Sequence, residues 1–122
     1  MEIKERLANI QYKRLYIESL KATLEHDREL VKLSPERLAG IETEDLKQIE
    51  QAEAELQADI DLINSLDDEL QRNILTERYV NNLKWDDISN KLYFSKQVLF
   101  KHHNKALDNL TRLTNSEHSN SH

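Results

Sequence analysis

Apolar side chains recur at spacings of three, four or seven residues through the first quarter of the chain. The set comprises Ile3, Leu7, Ile10, Ile17, Leu20, Leu24 and Val31. This spacing puts them on one side of an α-helix, and Leu15 and Tyr16 widen the apolar stripe. The pattern therefore predicts a long amphipathic helix from Ile3 to Val31.

A second apolar stripe follows a short break that begins at Leu33. Ser34 is expected to cap a short turn with Pro35 at its first position, and Gly40 completes the connection. Thr43 is then expected to be the N-cap of a second long helix. The apolar residues of this helix have close to heptad spacing: Leu46, Ile49, Leu56, Ile60, Ile63, Leu66 and Leu70.

The two predicted helices form an antiparallel hairpin over residues 1–64. Two helices bury only their facing stripes, so Leu15, Tyr16 and Leu20 need a further partner. Pairing of two hairpins in a four-helix bundle satisfies this need, and so does docking against the C-terminal part of the chain. We expect a homo-oligomer, with a dimer favoured.

Residues 33–71 carry twelve acidic and two basic side chains. This run fits a solvated face; alternatively, it repels DNA or docks a basic partner.

A third helix is predicted from Leu70 to Val80, with Ser65 or Asp67 as its N-cap. Residues 81–84 form the next turn. Tyr79 is expected to anchor the core that this helix shares with the following elements, and Trp85 is expected to do the same.

Residues 85–104 have the pattern of a helix-turn-helix. The first helix is predicted from Trp85 to Leu92, and Ser95 caps a second helix that runs to about Arg112. The small Ser89 lies where the two helices touch. Apolar positions expected at their shared interface are Ile88, Leu92, Phe94, Leu99 and His102. Such a unit presents the exposed side of its second helix to the major groove of DNA.

The exposed side of the second helix carries groups suited to DNA. Lys96, Gln97 and Lys101 lie on its first turns, near base edges, where Gln97 can bond adenine and the two lysines can reach guanine or a phosphate. The positions expected to contact only phosphates are Lys105 and Arg112 further along and Lys84 and Lys91 beside the turn. The full candidate DNA-binding set is Lys84, Lys91, Ser95, Lys96, Gln97, Phe100, Lys101, Asn104 and Lys105. A solvated helix face is the alternative for the polar members, and an ordinary exposed aromatic is the alternative for Phe100.

Composition supports a helical DNA-binding protein. One glycine and one proline in 122 residues leave few breaks, which predicts an all-α fold. The net charge is −6, but residues 72–112 hold eight basic and four acidic side chains against nine and eighteen in residues 1–71. This asymmetry is a hint of polyanion contact at one end, and ordinary surface charge is the alternative interpretation. Without cysteines, a signal-like N-terminus or a membrane-length apolar run, we expect a soluble cytoplasmic protein with no membrane partner.

Catalytic and metal-binding patterns are missing from the sequence. No serine elbow, phosphate loop or carboxylate pair is found, so we expect no enzyme, metal or other cofactor. The adjacent His102 and His103 point about 100° apart on a helix and lack further ligands. His102 is expected to be partly buried and His103 to be a surface hydrogen-bond donor.

The segment LTERYVNNLKWDDISNKLYFSKQVLFKHHNKALDNL resembles region 4 of the bacterial primary sigma factors. It is more closely similar to the small phage-encoded transcriptional regulators of the ArpU/RinA type. The residues that carry the resemblance are Leu75, Arg78, Tyr79, Trp85, Asp86, Asp87, Ile88, Leu92, Ser95, His103, Lys105, Ala106, Leu107 and Leu110. The resemblance implies a DNA-binding activator of phage genes, often late genes, in a bacterial host cell. Tyr93 occupies a turn position that is usually glycine, so the turn must change its geometry or absorb strain.

The sequence therefore predicts a hairpin at 1–64 for oligomerisation, a helix-turn-helix unit at 65–112 and a disordered tail at 113–122. In this interpretation the helix from Ser95 to Arg112 reads double-stranded DNA. One alternative is a protein-interaction adaptor that docks on RNA polymerase or another regulator without binding DNA. A purely structural helical bundle is a third interpretation, which leaves the C-terminal pattern unused.

Overall fold

The computed structural model describes residues 2–30 and 34–120, and every regular element in this part of the chain is a helix. The predicted all-α class is therefore confirmed. The helices are α1 (Ile3–Ala8), α2 (Ile10–Leu30), α3 (Pro35–Asn64), α4 (Glu69–Leu75), α5 (Trp85–Leu92) and α6 (Lys96–Asn120), with a π-helical turn at Thr76–Val80 after α4. Among the described helices, none combines the length and apolar character that a membrane span requires.

The first predicted helix is interrupted once, at Asn9. The backbone of Asn9 stays in the right-handed helical region (φ −77°, ψ −8°), and its amide donates to the Glu5 carbonyl. The interruption is therefore local, and α2 continues the same amphipathic pattern. The predicted end of this helix at Val31 and the break at Leu33 lie outside the described residues.

The second long helix begins earlier than predicted. It starts at Pro35, the position where a missing amide proton is least costly, and it includes both Gly40 and Thr43. The Thr43 hydroxyl donates 2.8 Å to the Ala39 carbonyl inside the helix, so Thr43 is not an N-cap. A single glycine in a helix costs about 1 kcal/mol, which the many good helix formers around Gly40 outweigh.

The chain divides into two compact units. The hairpin unit is Tyr12–Ala58, and the core unit combines Met1–Gln11 with Asp59–His122. Residues 2–11 and the end of α3, which the sequence pattern placed in the hairpin, thus pack with the C-terminal helices.

The hairpin unit is antiparallel, as the sequence predicts. Lys21 pairs with Glu53 at 3.2 Å, and further along α2, Arg28 pairs with Glu42, which precedes Glu53 on α3, at 2.6 Å. The apolar positions buried between the two helices are Ile17, Leu24, Ile49 and Ala52. Tyr12, Leu15 and Tyr16 remain exposed on α2, at 73%, 61% and 56% of their full accessible area.

The core unit is built around Ile74, Ile88 and Leu99, which are fully buried and come from α4, α5 and α6. The partly buried residues packed against them are Leu70, Leu83, Trp85 and Leu92. Helix α1 packs on α6 in the same unit, with Ile3 and Leu7 buried. Because the cluster combines side chains from α4, α5 and α6, it fixes the position of α5 relative to α6.

Polar contacts join the N-terminal segment to the rest of the core unit. Arg6 pairs with the buried carboxylate of Asp59 at 2.7 Å. The Gln11 side-chain amide donates to the carbonyls of Tyr79 and Val80, at 2.8 and 3.1 Å. These bonds join the N-terminal segment to backbone carbonyls of the π-helical turn.

The predicted third helix is α4 together with the π-helical turn. Its N-cap is Asp68, whose carboxylate accepts from the Gln71 amide at 2.9 Å, so the prediction of Ser65 or Asp67 is wrong. The Ser65 hydroxyl instead donates to the Leu62 carbonyl at the end of α3. Asp68 is the N-cap because it lies directly before Glu69, the first residue of α4.

Candidate nucleic-acid interface

Helix α5 starts with acidic residues and no side-chain cap. Lys84, immediately before it, is extended, and its carbonyl accepts from the Ile88 amide at 3.0 Å. Asp86 and Asp87 lie in the first turn, where a negative charge interacts favourably with the positive end of the helix dipole. The apolar side of the helix, at Ile88, faces the core.

The turn between α5 and α6 absorbs the strain expected at Tyr93. Tyr93 adopts a left-handed conformation (φ 62°, ψ 35°), with its side chain 92% exposed. The Tyr93 amide donates to the Ser89 carbonyl at 3.0 Å, and the Ser89 hydroxyl donates to the Phe94 carbonyl at 2.6 Å. Ser89 thus holds the turn in place, and Tyr93 takes the conformation that usually falls to glycine.

Replacing Tyr93 with glycine should therefore stabilise the protein by about 1 kcal/mol, because the left-handed conformation costs an L-residue roughly that much. Urea unfolding followed by circular dichroism measures the gain. The matched control is Asn82→Gly, at the other described non-glycine position with positive φ (57°). Asparagine tolerates this conformation, so the control should gain less, and an equal gain or a loss at Tyr93 would contradict the strain argument.

Helix α6 begins as predicted. The Ser95 hydroxyl accepts from the Val98 amide at 3.3 Å, and the Ser95 carbonyl accepts from the Leu99 amide at 3.0 Å. The helix continues past Arg112, where its end was predicted, to Asn120. The final predicted tail residues, 121–122, lie outside the described residues.

The candidate DNA-binding side chains all lie on the exposed surface of the core unit. They are Lys84, Lys91, Ser95, Lys96, Gln97, Phe100, Lys101, Asn104 and Lys105. Leu99, Ala106 and Leu110 form the opposite, buried side of α6. This face is therefore exposed to solvent, and its use in DNA binding stays a prediction.

Two lysines of this face are held by carboxylates. Lys96 Nζ lies 2.5 Å from Asp86 Oδ1, and Lys91 Nζ lies 3.0 Å from Glu77 Oε2. The hydrogen bond and the charge of Lys96 lower the pKa of the Asp86 carboxyl. Both Lys96 and Asp86 are largely exposed, so water and salt screen the pair and a phosphate can replace the carboxylate at little cost.

Of the two histidines, His102 is partly buried, as predicted, but His103 is not the surface residue expected from the sequence. His103 is buried, and its Nε2 lies 2.7 Å from the Tyr79 hydroxyl, whereas His102 is half-buried. Burial lowers the pKa of His103, so this ring is neutral near pH 7. The prediction that His103 is a surface donor is wrong because the core residue Tyr79, its partner, approaches from another element.

Phe94 is also placed differently from the prediction. It is 40% exposed, whereas Ile88 and Leu99 from the same predicted interface are fully buried. The α5–α6 interface is completed instead by Ile74 of α4. Leu70 and Ile74 are four residues apart, which predicts an apolar face on this helix. The spacing does not predict which helix packs against that face.

An aromatic group borders the candidate interface. Trp85 meets Phe100 edge to face, with ring centroids 5.0 Å apart, and the Arg78 guanidinium carbon lies 5.0 Å above the Trp85 ring. Arg78 also donates to the Leu83 carbonyl at 3.0 Å. In the sequence, Arg78 stands out only through the family resemblance, and no pattern marks it as a fixed positive charge beside Phe100.

Residues 2–30 and 34–120 contain no group of three or more side chains arranged to hold a metal ion.

In the part of the chain that the structure describes, both units are all-helical. The chain belongs to the family described as DUF1492, protein of unknown function, which matches residues 29–111. The match takes in α3 through most of α6, and thus the entire candidate interface. No curated protein and no solved structure matches the chain.

Proposed function

We propose that this protein is a sequence-specific DNA-binding transcriptional regulator that reads double-stranded DNA with α6. The observation that carries the proposal is the division of α6 into a buried apolar side and an exposed side with Lys96, Gln97 and Lys101. Helix N-terminal residues of this kind approach base edges when such a helix enters the major groove. The Ser95 cap and the core cluster fix the helix in advance, which limits the entropy lost on binding.

Charge supports the same proposal. The acidic total of the chain is concentrated in residues 1–71, while residues 72–112 carry an excess of four positive charges. Phosphate neutralisation provides most of the non-specific affinity for DNA, so the basic segment supplies the initial attraction. On binding, Lys96 exchanges the Asp86 carboxylate for a phosphate, and both members of the original pair are exposed enough for water to solvate the released carboxylate.

The resemblance to phage regulators supports a more specific role. It favours activation of phage late genes in the cytoplasm of a bacterial host. The exposed apolar residues of α2 support assembly of two subunits through the hairpin unit, which would direct the protein to two half-sites on DNA.

A gel-shift titration over a range of salt concentrations tests the proposal, with phage promoter fragments and a random duplex as probes. The double variant Lys96→Ala/Lys101→Ala should bind at least tenfold more weakly. Its slope of log affinity against log salt should also flatten by about 0.9 for each phosphate that the variant no longer neutralises. The matched control is Arg37→Ala/Lys47→Ala, which removes two exposed positive charges from α3.

Equal reductions of affinity in the double variant and its control would reject α6 as the DNA-reading element. An absence of DNA affinity at low salt, together with retention of the protein on RNA polymerase, would replace the proposal with the adaptor function.

A further inference from the structure

A cleft of about 500 Å³ opens beside the DNA-facing side of α6. Its walls come from α1, the π-helical turn, α5 and α6, all in the core unit. Phe100 and Asn104 line the cleft and also belong to the candidate DNA-binding set. The cleft is therefore continuous with the face that the sequence assigned to DNA.

The charges around this cleft are positive. Lys4 of α1 and Arg78 of the π-helical turn line it, and none of the described carboxylates does. Both cations act on His103, which also lines the cleft, and they add to the effect of burial in lowering its pKa. The neutral His103 leaves Lys4 and Arg78 as the charged groups of the walls, so the cleft favours an anion.

The side chains of the two cations differ in their conformational freedom. Arg78 is fixed by its hydrogen bond to the Leu83 carbonyl and its position over Trp85. Lys4 is exposed, on a helix that packs against α6. A lysine on a flexible stem can adjust to a phosphate oxygen, while the fixed guanidinium supplies a constant positive potential.

We propose that Lys4 contacts a backbone phosphate of the same DNA duplex whose bases α6 reads, with the phosphodiester seated at the mouth of this cleft. The inference rests on the proposed function and extends it to a helix outside the helix-turn-helix pattern. Contacts from elements flanking a recognition helix position the protein on the backbone and carry no sequence information themselves. Lys4 therefore contributes affinity and register, and base discrimination stays with α6.

Fluorescence anisotropy at several salt concentrations tests this contact, with one specific and one unrelated duplex as probes. Lys4→Gln should flatten the salt slope by about 0.9 and weaken binding to both duplexes by a similar factor. Lys4→Arg keeps the charge and should retain the wild-type slope. Lys47→Gln, the same change at an exposed position of α3, should bind as the wild type does.

The outcomes separate this inference from the proposed function. If the wild type binds DNA and Lys4→Gln behaves like Lys47→Gln, the Lys4 contact is overturned while the function of α6 stands. If the wild type binds no duplex at low salt, both are overturned. Thermal unfolding of each variant verifies that a reduced affinity does not come from a smaller amount of folded protein.

Discussion

Replacing Leu99 with alanine is expected to lower the free energy of unfolding by about 3 kcal/mol, a large fraction of the typical stability of a small domain. Leu99 is fully buried between Ile74 and Ile88, at the point where α4, α5 and α6 meet. Removing the γ carbon and both δ methyl groups there leaves a cavity, because the surrounding helices are held by their own contacts and relax only in part.

The single tryptophan makes this measurement specific for the core unit. Trp85 packs against the Leu99 cluster, so its fluorescence reports unfolding of these helices in a urea titration. The control is Leu113→Ala on the same helix, where the side chain is 40% exposed and the destabilisation should stay below about 1 kcal/mol. Similar destabilisation at Leu99 and Leu113 would contradict the assignment of the cluster as the core.

The helices of this protein are predictable from its sequence because little in the chain opposes them. One proline and one glycine leave the apolar spacing as the main determinant of where helices run. Their ends are harder to predict, as Gly40 and Thr43 illustrate. Both residue types favour helix ends, yet both lie inside α3, because a local preference of about 1 kcal/mol is smaller than the gain from continuing a long helix.

The exposed face of α6 is predictable from the spacing of apolar and polar residues, but the residues that pack around it are not. Helical spacing along α6 alone separates the buried Leu99 from the exposed Lys96 and Lys101, without information about the other helices. The burial of His103 depends on Tyr79, which lies 24 residues earlier in the sequence and whose hydroxyl is 2.7 Å from the His103 ring in the structure. Lys4 beside the cleft is a second case of this kind, since its position follows from the packing of α1 on α6.

The exposed apolar residues on α2 form a candidate surface for subunit assembly. Tyr12, Leu15 and Tyr16 recur at spacings of three and four, so they form one apolar patch on the hairpin unit. A contiguous apolar patch on a soluble protein usually marks a contact surface. In the proposed regulator this surface joins two subunits, and each subunit then brings one copy of α6 to the DNA.

Replacing Leu15 with glutamate is expected to separate the subunits and to weaken binding to a duplex with two half-sites by about 100-fold or more, because linked binding adds that much to affinity. The new carboxylate would be buried without a partner in the dimer but solvated in the monomer. Analytical ultracentrifugation measures the shift from dimer to monomer, and a gel shift on the same DNA measures the reduced affinity.

The control for this experiment is Ala54→Glu, which places the same charge on an exposed position of α3. Its helical position is about half a turn away from the side that carries Ile49 and Ala52, so it should leave both the dimer and DNA binding intact. A duplex with one half-site separates the two effects, because Leu15→Glu should bind it as well as the wild type does. A Leu15→Glu protein that remains dimeric would move the subunit contact elsewhere. A monomeric variant with full affinity for two half-sites would show that each α6 binds DNA independently.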